Sequence, residues 1–451
     1  MKMKRILYII SLAALLSGCS KLTDVLDVTP PNNLTPENVA KNKEGLRNML
    51  NGAYAQLHNQ YYYKETEYVP GTLAGTMQRG TNLPFPDLQY QDNNLNPTIA
   101  SVNNFWMAFY KMINQTNWVI QLANELPAGE LTDIEREQTI AQAKALRGMA
   151  TFDALRYFGQ YYDMNSPYGV LVRTEVVDFT NRHLKRSTVA ETYKQIIADL
   201  DEAINKAPDF SKPIYFSKTA AKALKARVML YKGDYAAALQ LADQVITEGK
   251  RSLSPTFAAV FSTGFTSTEM IFMRATDAVT YTTDRKKLTY SVGSNVVTAW
   301  LKNFMTGDPR VALSYNATNN YILKVNNTTF FAPTYFIRMA EMYLIKAEAL
   351  TRTDAPLADA KIPLQAIRSR AFGTPQLSPA ATKVALLDEI HAEIIKELCF
   401  ENGSDWFANV RFEKIKTIKP KVTSVNQYIL PIPQSETLSN NLFGPQNPGY
   451  E

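Results

Sequence analysis

The chain has 451 residues, of which 45% are apolar and 20% are charged, and its formal net charge is +6 at pH 7. This length and apolar content suffice for one large core or two ordinary ones, which excludes an intrinsically disordered chain. Three of the positive charges lie at Lys2, Lys4 and Arg5. The net charge of the rest of the chain is therefore small, which excludes the strongly basic surface of a nucleic-acid-binding protein.

The N-terminus has the pattern of a bacterial lipoprotein signal. The basic residues precede an apolar run, ILYIISLAALL, which leads into the stretch LSGC that ends at Cys19. The run is shorter than the about 20 residues of a membrane-spanning helix, and its positive flank and small-residue exit are typical of a signal peptide. We therefore expect residues 1–18 to be removed, Cys19 to be acylated, and residues 19–36 to form a tether. The alternative is a secreted protein in which Cys19 merely follows the cleavage site.

The other cysteine of the chain is Cys399. Once Cys19 is acylated, no intramolecular disulfide is possible, so stability must come from packing. We expect Cys399 to be a small buried hydrophobic residue.

Helical periodicity dominates the chain after the tether. The clearest example surrounds the turn Gly233-Asp234, where small alanines on the first helix permit close packing and Tyr235 opens the second helix. This arrangement approximates a tetratricopeptide helix hairpin. We predict about four such hairpins, which pair residues 37–57 with 103–126, 139–158 with 188–206, 217–232 with 235–248, and 334–352 with 357–371.

Long irregular segments separate these helices. Residues 58–101 and 250–333 are rich in Gly, Pro, Asn, Ser, Thr and Tyr, and residues 402–451 contain five prolines. Loops of such length are usually functional. The predicted fold class is therefore mainly α, with a tetratricopeptide-like scaffold that carries a loop-rich, mixed subdomain, in a single domain over residues 37–451.

Five segments together resemble one family. They are the anchor CSKLTDVLDVTPPN, the helices AKALRGMATFDALRYFGQYY and IRMAEMYLIKAEAL, the segment EIIKELCFENGSDWF, and the ending YILPIPQSETLSNNLFGPQNPGY. In this order they resemble the SusD/RagB outer-membrane nutrient-binding lipoproteins of Bacteroidetes. The resemblance implies a helical scaffold facing a SusC-like TonB-dependent transporter, external loops that bind a glycan or peptide nutrient, and an anchor in outer-membrane lipid through Cys19. The resemblance also implies a binding protein that is not an enzyme.

The sequence departs from the family pattern near the C-terminal helices. Family members commonly have Glu-Gly, one variable residue, Arg and Trp where this chain has a longer stretch, Glu401 to Trp406, without the Arg. The usual Glu–Arg pair of the preceding helix is also missing, because Ile394 follows Glu393. We therefore expect local geometry that differs from the family here.

The residues give little indication of catalysis. The three histidines, His58, His183 and His391, have no metal-ligand spacing, and the chain lacks serine-hydrolase and nucleotide-binding motifs. We therefore expect no metal and no cofactor.

A glycosidase requires only two suitably placed carboxylates, so a surface-anchored glycoside hydrolase stays open as an alternative. The loop candidates are Glu65 with Glu67 and Asp87 with Asp92. Solvated loop charge is the favoured interpretation of all four.

Aromatic residues in the loops favour binding. A tyrosine offers a flat apolar face and a hydroxyl, which suits amphipathic ligands such as sugars. We expect Trp106, Trp118 and Trp406 to be core residues, and leave Trp300 open. A further alternative is a peptide-binding or purely structural lid of the transporter. The ligand-binding residues that we select from the two long loops are Tyr61, Tyr62, Tyr68, Arg79, Tyr281 and Tyr290.

Overall fold

A computed structural model describes residues 41–81, 88–291 and 293–451. The predicted signal peptide, the acylation site Cys19 and the tether lie outside the described residues, as does Asp87. Among the described helices, none combines the length and the apolar character that a membrane crossing requires.

Helices form most of the described structure. Eleven of the described helices have eight or more residues: α1 (Lys43–Ala55), α2 (Glu65–Ala74), α3 (Ala100–Glu125), α4 (Asp133–Phe158), α5 (Val189–Lys206), α6 (Lys218–Lys232), α7 (Tyr235–Thr247), α8 (Met339–Arg352), α9 (Leu357–Phe372), α10 (Lys383–Leu398) and α11 (Ser404–Arg411).

Shorter helices punctuate the loops. Those described are Gln56–His58, Gln60–Tyr63, Leu88–Asp92, Phe257–Phe261, Gly264–Thr266, Ala278–Thr282, Lys286–Thr289, Ala299–Phe304, Val311–Ser314, Thr328–Phe330, Ile415–Ile418, Val425–Tyr428 and Gln434–Ser439.

The described strands form two small antiparallel sheets. Strand β1 (Met77–Arg79) pairs with β3 (Asn295–Val297), with Met77 opposite Val297. Strand β2 (Met270–Arg274) pairs with β4 (Thr334–Arg338), with Met270 opposite Arg338 and two register irregularities between. Each sheet joins chain segments that are far apart in sequence.

The predicted helix pairs are confirmed. Helix α1 packs on α3, α4 on α5, α6 on α7, and α8 on α9. The pairs also stack on one another, because α3 packs on α4, α5 on α6, and α7 on α8. The scaffold is therefore continuous in space although loops interrupt it in sequence.

Local sequence signals explain where several helices begin and end. Capping boxes at Thr132 and Thr188 start α4 and α5, each satisfying two backbone N–H groups that a helix start leaves unpaired. The capping box extends α4 six residues ahead of the predicted start at 139. Gly233 ends α6 with a left-handed φ of 84°, as a tight turn between paired helices requires.

Three predicted boundaries are corrected by the structure. The segment 58–101 is not a simple loop, because it contains α2, which is buried on all sides and so lacks the apolar stripe of a surface helix. Residues 334–338 are strand β4, not the start of α8, since their five buried side chains pair with β2. The irregular segment 402–451 contains α11 after the left-handed Gly403.

Pro70 lies inside α2, and the contacts of the buried helix explain how the proline is tolerated. A proline within a helix removes the hydrogen bond to the carbonyl four residues earlier. Here that carbonyl, of Thr66, accepts a hydrogen bond from the Tyr157 hydroxyl at 3.4 Å. This carbonyl of α2 is thus satisfied by a side chain of α4.

The expected core residues are largely confirmed. Trp106, Trp406 and Cys399 are buried, and Trp118 is partly buried against the larger hydrophobic cluster. Trp300, which the sequence left open, is half-buried and stacks on Phe304 with ring centroids 5.0 Å apart.

The region where the sequence departs from the family pattern contributes to a buried set of charges, here called the Arg338 network. Arg338 donates to Glu269 at 2.6 Å and to Glu397 and Glu401 at 2.7 Å. Glu393, which lacks a neighbouring arginine in sequence, accepts from Arg310 at 2.6 Å. The network consists of Arg310, Arg338, Arg370, Lys324, Glu269, Asp308, Glu393, Glu397 and Glu401.

Candidate ligand-binding site

The two loop regions that the sequence selects for ligand binding lie side by side. Strands β1 and β3 place Arg79 opposite Asn295. The Thr298 hydroxyl donates to the Gly75 carbonyl at 2.6 Å, which joins the same two regions beyond the other end of the paired strands. Residues from about 58 to 80 and from about 276 to 332 therefore contribute to one surface.

A buried ion pair joins the two regions. The Lys286 ammonium donates to Glu67 at 2.6 Å and to the carbonyls of Pro333 and Val325 at 2.7 and 3.3 Å. The Tyr290 hydroxyl donates to the other oxygen of Glu67 at 3.3 Å. We call Glu67, Lys286 and Tyr290 the Lys286 cluster. All three side chains are buried, so the cluster is a structural clamp beneath the surface.

Burial controls the protonation of the Lys286 cluster. It raises the pKa of Glu67 to about 7, although Lys286 acts in the opposite direction. It also lowers the pKa of Lys286, against the attraction of Glu67. One lysine shared among three acceptors does not compensate for the lost hydration of both charges.

A second clamp holds the same segment. Arg274 pairs with Asp284 at 2.5 Å, and its guanidinium lies 3.7 Å from the ring centroid of Tyr63. The Tyr63 hydroxyl accepts a hydrogen bond from the Arg285 backbone at 3.1 Å. Residues 284–290 are thereby fixed on the short helices before α2.

Three half-buried rings, Tyr281, Phe330 and Phe331, lie in this loop region, and we call them the aromatic edge. The ring centroids of Tyr281 and Phe331 are 5.9 Å apart, and the Lys287 ammonium lies 4.8 Å from the Tyr281 centroid. Phe330 packs so closely on Gly264 that a Cβ there would come within 2.6 Å of the ring. The edge thus combines partly accessible apolar rings with a cation, a composition that suits amphipathic ligands.

The backbone at the aromatic edge is strained. Phe331 and Ala332 have φ values of 58° and 50°, a left-handed conformation that is costly for a bulky residue. The Ala332 N–H donates to the Asn327 carbonyl at 2.8 Å, and the Thr276 hydroxyl donates to the Phe331 carbonyl. Strain held in this way clusters at functional sites.

The structure separates the predicted binding residues into two groups. Tyr62, Tyr68 and Tyr290 are at most 6% exposed, so these three side chains lie beneath the surface and do not belong to the aromatic edge. The Tyr62 hydroxyl instead donates to Asp153 at 2.5 Å within the core. Tyr61 is half-buried against the core, Arg79 is half-buried in β1, and Tyr281 belongs to the aromatic edge, so their ligand contacts stay predictions.

Sequence reasoning missed Phe330 and Phe331, because it selected tyrosines as amphipathic residues. The signal was present in NNTTFFAP, where two adjacent phenylalanines stand in an otherwise polar stretch before a proline. Apolar rings in such a stretch are unexpected for a plain solvated loop.

The candidate acids of the glycosidase alternative do not form an open pair among the described residues. Glu65 and Glu67 are buried in α2, with salt bridges to Lys64 at 2.7 Å and Lys286 at 2.6 Å. Asp92 pairs with Lys421 at 2.5 Å. In the part of the chain that the structure describes, no three His, Cys, Asp or Glu residues are grouped to hold a metal ion.

Family models match most of the chain. A SusD-like model described as "Starch-binding associating with outer membrane" matches residues 24–230, and the SusD family model matches residues 275–417. A model for the prokaryotic membrane lipoprotein lipid attachment site matches residues 3–20. With this fold and these matches, the chain belongs to the SusD family of glycan-binding lipoproteins.

Individual relatives agree with this assignment. SusD-like protein P2 of Formosa agariphila is 27% identical over an alignment of 530 positions that covers all of both chains. A SusD-like protein of Bacteroides ovatus is 25% identical over 51% of this chain and 40% of its own.

Solved structures show the same fold. A SusD superfamily protein of Bacteroides thetaiotaomicron has a TM-score of 0.77 at 24% identity, over 90% of this chain and 99% of its own. A laminarin-binding SusD-like protein has a TM-score of 0.73 at 23% identity, over 91% of this chain and 100% of its own.

Proposed function

We propose that this protein binds a glycan at the cell surface and delivers it to a SusC-like TonB-dependent outer-membrane transporter. Family membership supports glycan binding and a lipid anchor. In this proposal the acylated Cys19 holds the chain in the outer membrane, and the folded domain faces the exterior. The protein binds its ligand without chemical change.

The single observation that carries the proposal is the aromatic edge. Three partly accessible rings lie beside two buried clamps, which hold residues 284–290 and, through the Val325 and Pro333 carbonyls, the segment that carries Phe330 and Phe331. Little conformational freedom is therefore lost when a ligand binds. Sugars offer C–H faces to such rings and hydroxyls to neighbouring polar groups. Lys287, held beside Tyr281, supplies a polar group of this kind.

The test is binding of plant, host and microbial glycans to the chain from residue 20, by retardation in glycan-containing gels and by calorimetry. Tyr281→Ala and Phe331→Ala each remove one ring of the edge, and we expect affinity to fall by roughly three- to tenfold. Tyr162→Ala is the matched control. Tyr162 is also a partly exposed tyrosine, at 36%, but it packs on Tyr428 and does not belong to the aromatic edge.

Two further readouts separate the alternatives. Release of reducing ends from a retarded glycan would contradict simple binding and indicate a glycoside hydrolase. Copurification of the lipidated protein with a transporter, with no glycan bound by either, would indicate a structural or peptide-binding lid.

A further inference from the structure

A series of three neighbouring depressions follows α1. Three cavities of about 210, 270 and 260 Å³ follow this helix from its N-terminal to its C-terminal end. The first and second share Arg47 and Gln142 as walls, and the second and third share Asn51 and Tyr215. We call this surface the α1 groove. Since α1 has 13 residues, the groove is about 20 Å long, room for several linked sugar units.

Tyr215 is the most exposed aromatic side chain among those that line the groove, at 40%. Its ring stands nearly perpendicular to that of Tyr54, with centroids 5.3 Å apart. Tyr54 is itself buried, and its hydroxyl donates to Gln142 at 2.9 Å and accepts from the Phe216 backbone at 2.9 Å. The support beneath Tyr215 is therefore fixed before any ligand arrives.

The polar groups around Tyr215 suit neutral hydroxyls. The central cavity is lined by Asn51, Gln142, Ser211 and Ser217. The Gln142 amide already bonds Tyr54 and Gln138, and the Ser217 hydroxyl caps α6, so Asn51 and Ser211 are the side chains offered to a ligand hydroxyl. The charges are mixed, with Lys43 and Arg47 balanced by Glu135 and Asp209, so the groove selects neither a strongly acidic nor a strongly basic ligand. An aromatic ring with a few polar groups beside it can bind and orient a small ligand.

One end of the groove leads towards the aromatic edge. The third cavity is lined by Arg274 and Ala275. The next residue, Thr276, donates its hydroxyl hydrogen to the carbonyl of Phe331, which belongs to the edge. This contact places the end of the groove beside the chain segment that carries the edge.

We propose that the α1 groove is a second carbohydrate-binding site, in which a neutral pyranose of a linear oligosaccharide stacks on Tyr215. The class of ligand rests on the proposed function, but the location does not depend on the aromatic edge. With both sites occupied, one polymer chain is held at two points, which increases avidity for long glycans over short ones.

The test uses laminarin, starch, xylan, mannan, levan and pectin in gel retardation, with Tyr215→Ala, Tyr281→Ala, the double variant and the Tyr162→Ala control. For at least one polymer bound by the unchanged protein, we expect Tyr215→Ala to weaken binding three- to tenfold, and the double variant to weaken it more than either change alone. Tyr215→Phe keeps the ring and should retain binding. Asn51→Ala, an exposed helix position, should weaken binding without affecting folding.

The outcomes distinguish this inference from the proposed function. If Tyr281→Ala weakens binding but Tyr215→Ala and Asn51→Ala match the unchanged protein for every polymer bound, the groove is not a carbohydrate site. If the unchanged protein binds no polymer, both proposals fail. Melting temperatures of all variants check that weakened binding does not reflect unfolding.

Discussion

The Arg338 network and the Lys286 cluster both join loops to helices through buried charges, but they differ in the number of cations around each carboxylate. Glu397 lies among Arg310, Arg338 and Arg370, whereas among the described residues Glu67 forms a salt bridge with Lys286 only. The three guanidiniums hold the pKa of Glu397 well below its usual range in spite of burial. Burial prevails at Glu67 and raises its pKa to about 7.

The comparison shows that burial alone does not decide whether the pKa of a carboxyl group is raised or lowered. Arginine offers a rigid, always charged set of donors, so several can converge on one acid with good geometry. Lysine is a single point charge whose own pKa falls when it is buried. The network therefore fixes one ionisation state, while the cluster accepts a change of state.

The largest expected effect is that of Arg338→Met. The change leaves Glu269, Glu397 and Glu401 without their central partner in a buried region. Removing one partner of a buried ion pair costs about 3–5 kcal/mol, and we expect a loss in the free energy of unfolding at or above that range, measured by urea denaturation.

Arg368→Met is the matched control for this prediction. Arg368 also pairs with two acids, Glu389 and Glu393, but its side chain is partly exposed. We expect a loss of about 1 kcal/mol or less there. Equal losses for the two variants would contradict the view that convergent burial makes the network essential.

A pH series sharpens the comparison with Glu397→Gln and Glu67→Gln. The raised pKa of Glu67 contributes stability that is fully present below its ordinary value of 4.5 and is lost as the pH rises towards about 7. The lowered pKa of Glu397 contributes stability that is present above 4.5 and lost as the pH falls below it. The cost of Glu67→Gln should therefore shrink by about 3 kcal/mol between pH 4.5 and 7, while the cost of Glu397→Gln should shrink only on acidification below 4.5.

The measurement is the free energy of unfolding of the two variants and the unchanged protein from acid to neutral pH. Parallel curves for the Glu67→Gln variant and the unchanged protein would show that Glu67 titrates normally and that Lys286 compensates its burial fully.

The sequence predicts the scaffold well because helices follow from patterns within about 20 residues. The turn Gly233-Asp234 and the Thr188 cap are visible without any tertiary contact. The proposed binding surface is different, since it depends on pairings such as Glu67 with Lys286 that span more than 200 residues. No local pattern distinguishes the buried Tyr290 from the half-exposed Tyr281, so composition placed both in one candidate site.

A smaller effect on the free energy of unfolding is expected from changes at Phe331, whose strained backbone lies near the Lys286 cluster and its neighbouring clamp. Phe331→Gly removes the left-handed penalty but also a ring contact and chain stiffness, so we expect the free energy of unfolding to change by no more than about 1 kcal/mol. Glycan affinity should fall as in Phe331→Ala. Phe330→Gly gains no such relief, because Phe330 lacks a positive φ, and it should be the more destabilising change by thermal denaturation. The opposite ranking would show that the strain at Phe331 is not a cost to the fold.

The smallest expected effect concerns the reactivity of the Cys399 thiol. This reactivity reports directly on whether the Arg338 network opens. The Cys399 carbonyl accepts a hydrogen bond from Lys324 at 3.2 Å, and burial raises the pKa of its thiol to about 12. In the chain from residue 20 it is the sole cysteine, so a chromogenic disulfide reagent at about pH 8, near the ordinary thiol pKa, reports on this site alone. We expect almost no reaction until denaturant is added, and a faster reaction for Arg338→Met than for Arg368→Met under native conditions, because labelling follows the population of open states. Rapid labelling of the unchanged protein would mean that the network opens readily, and the contrast with the Lys286 cluster would then lie in pKa alone, with no difference in rigidity.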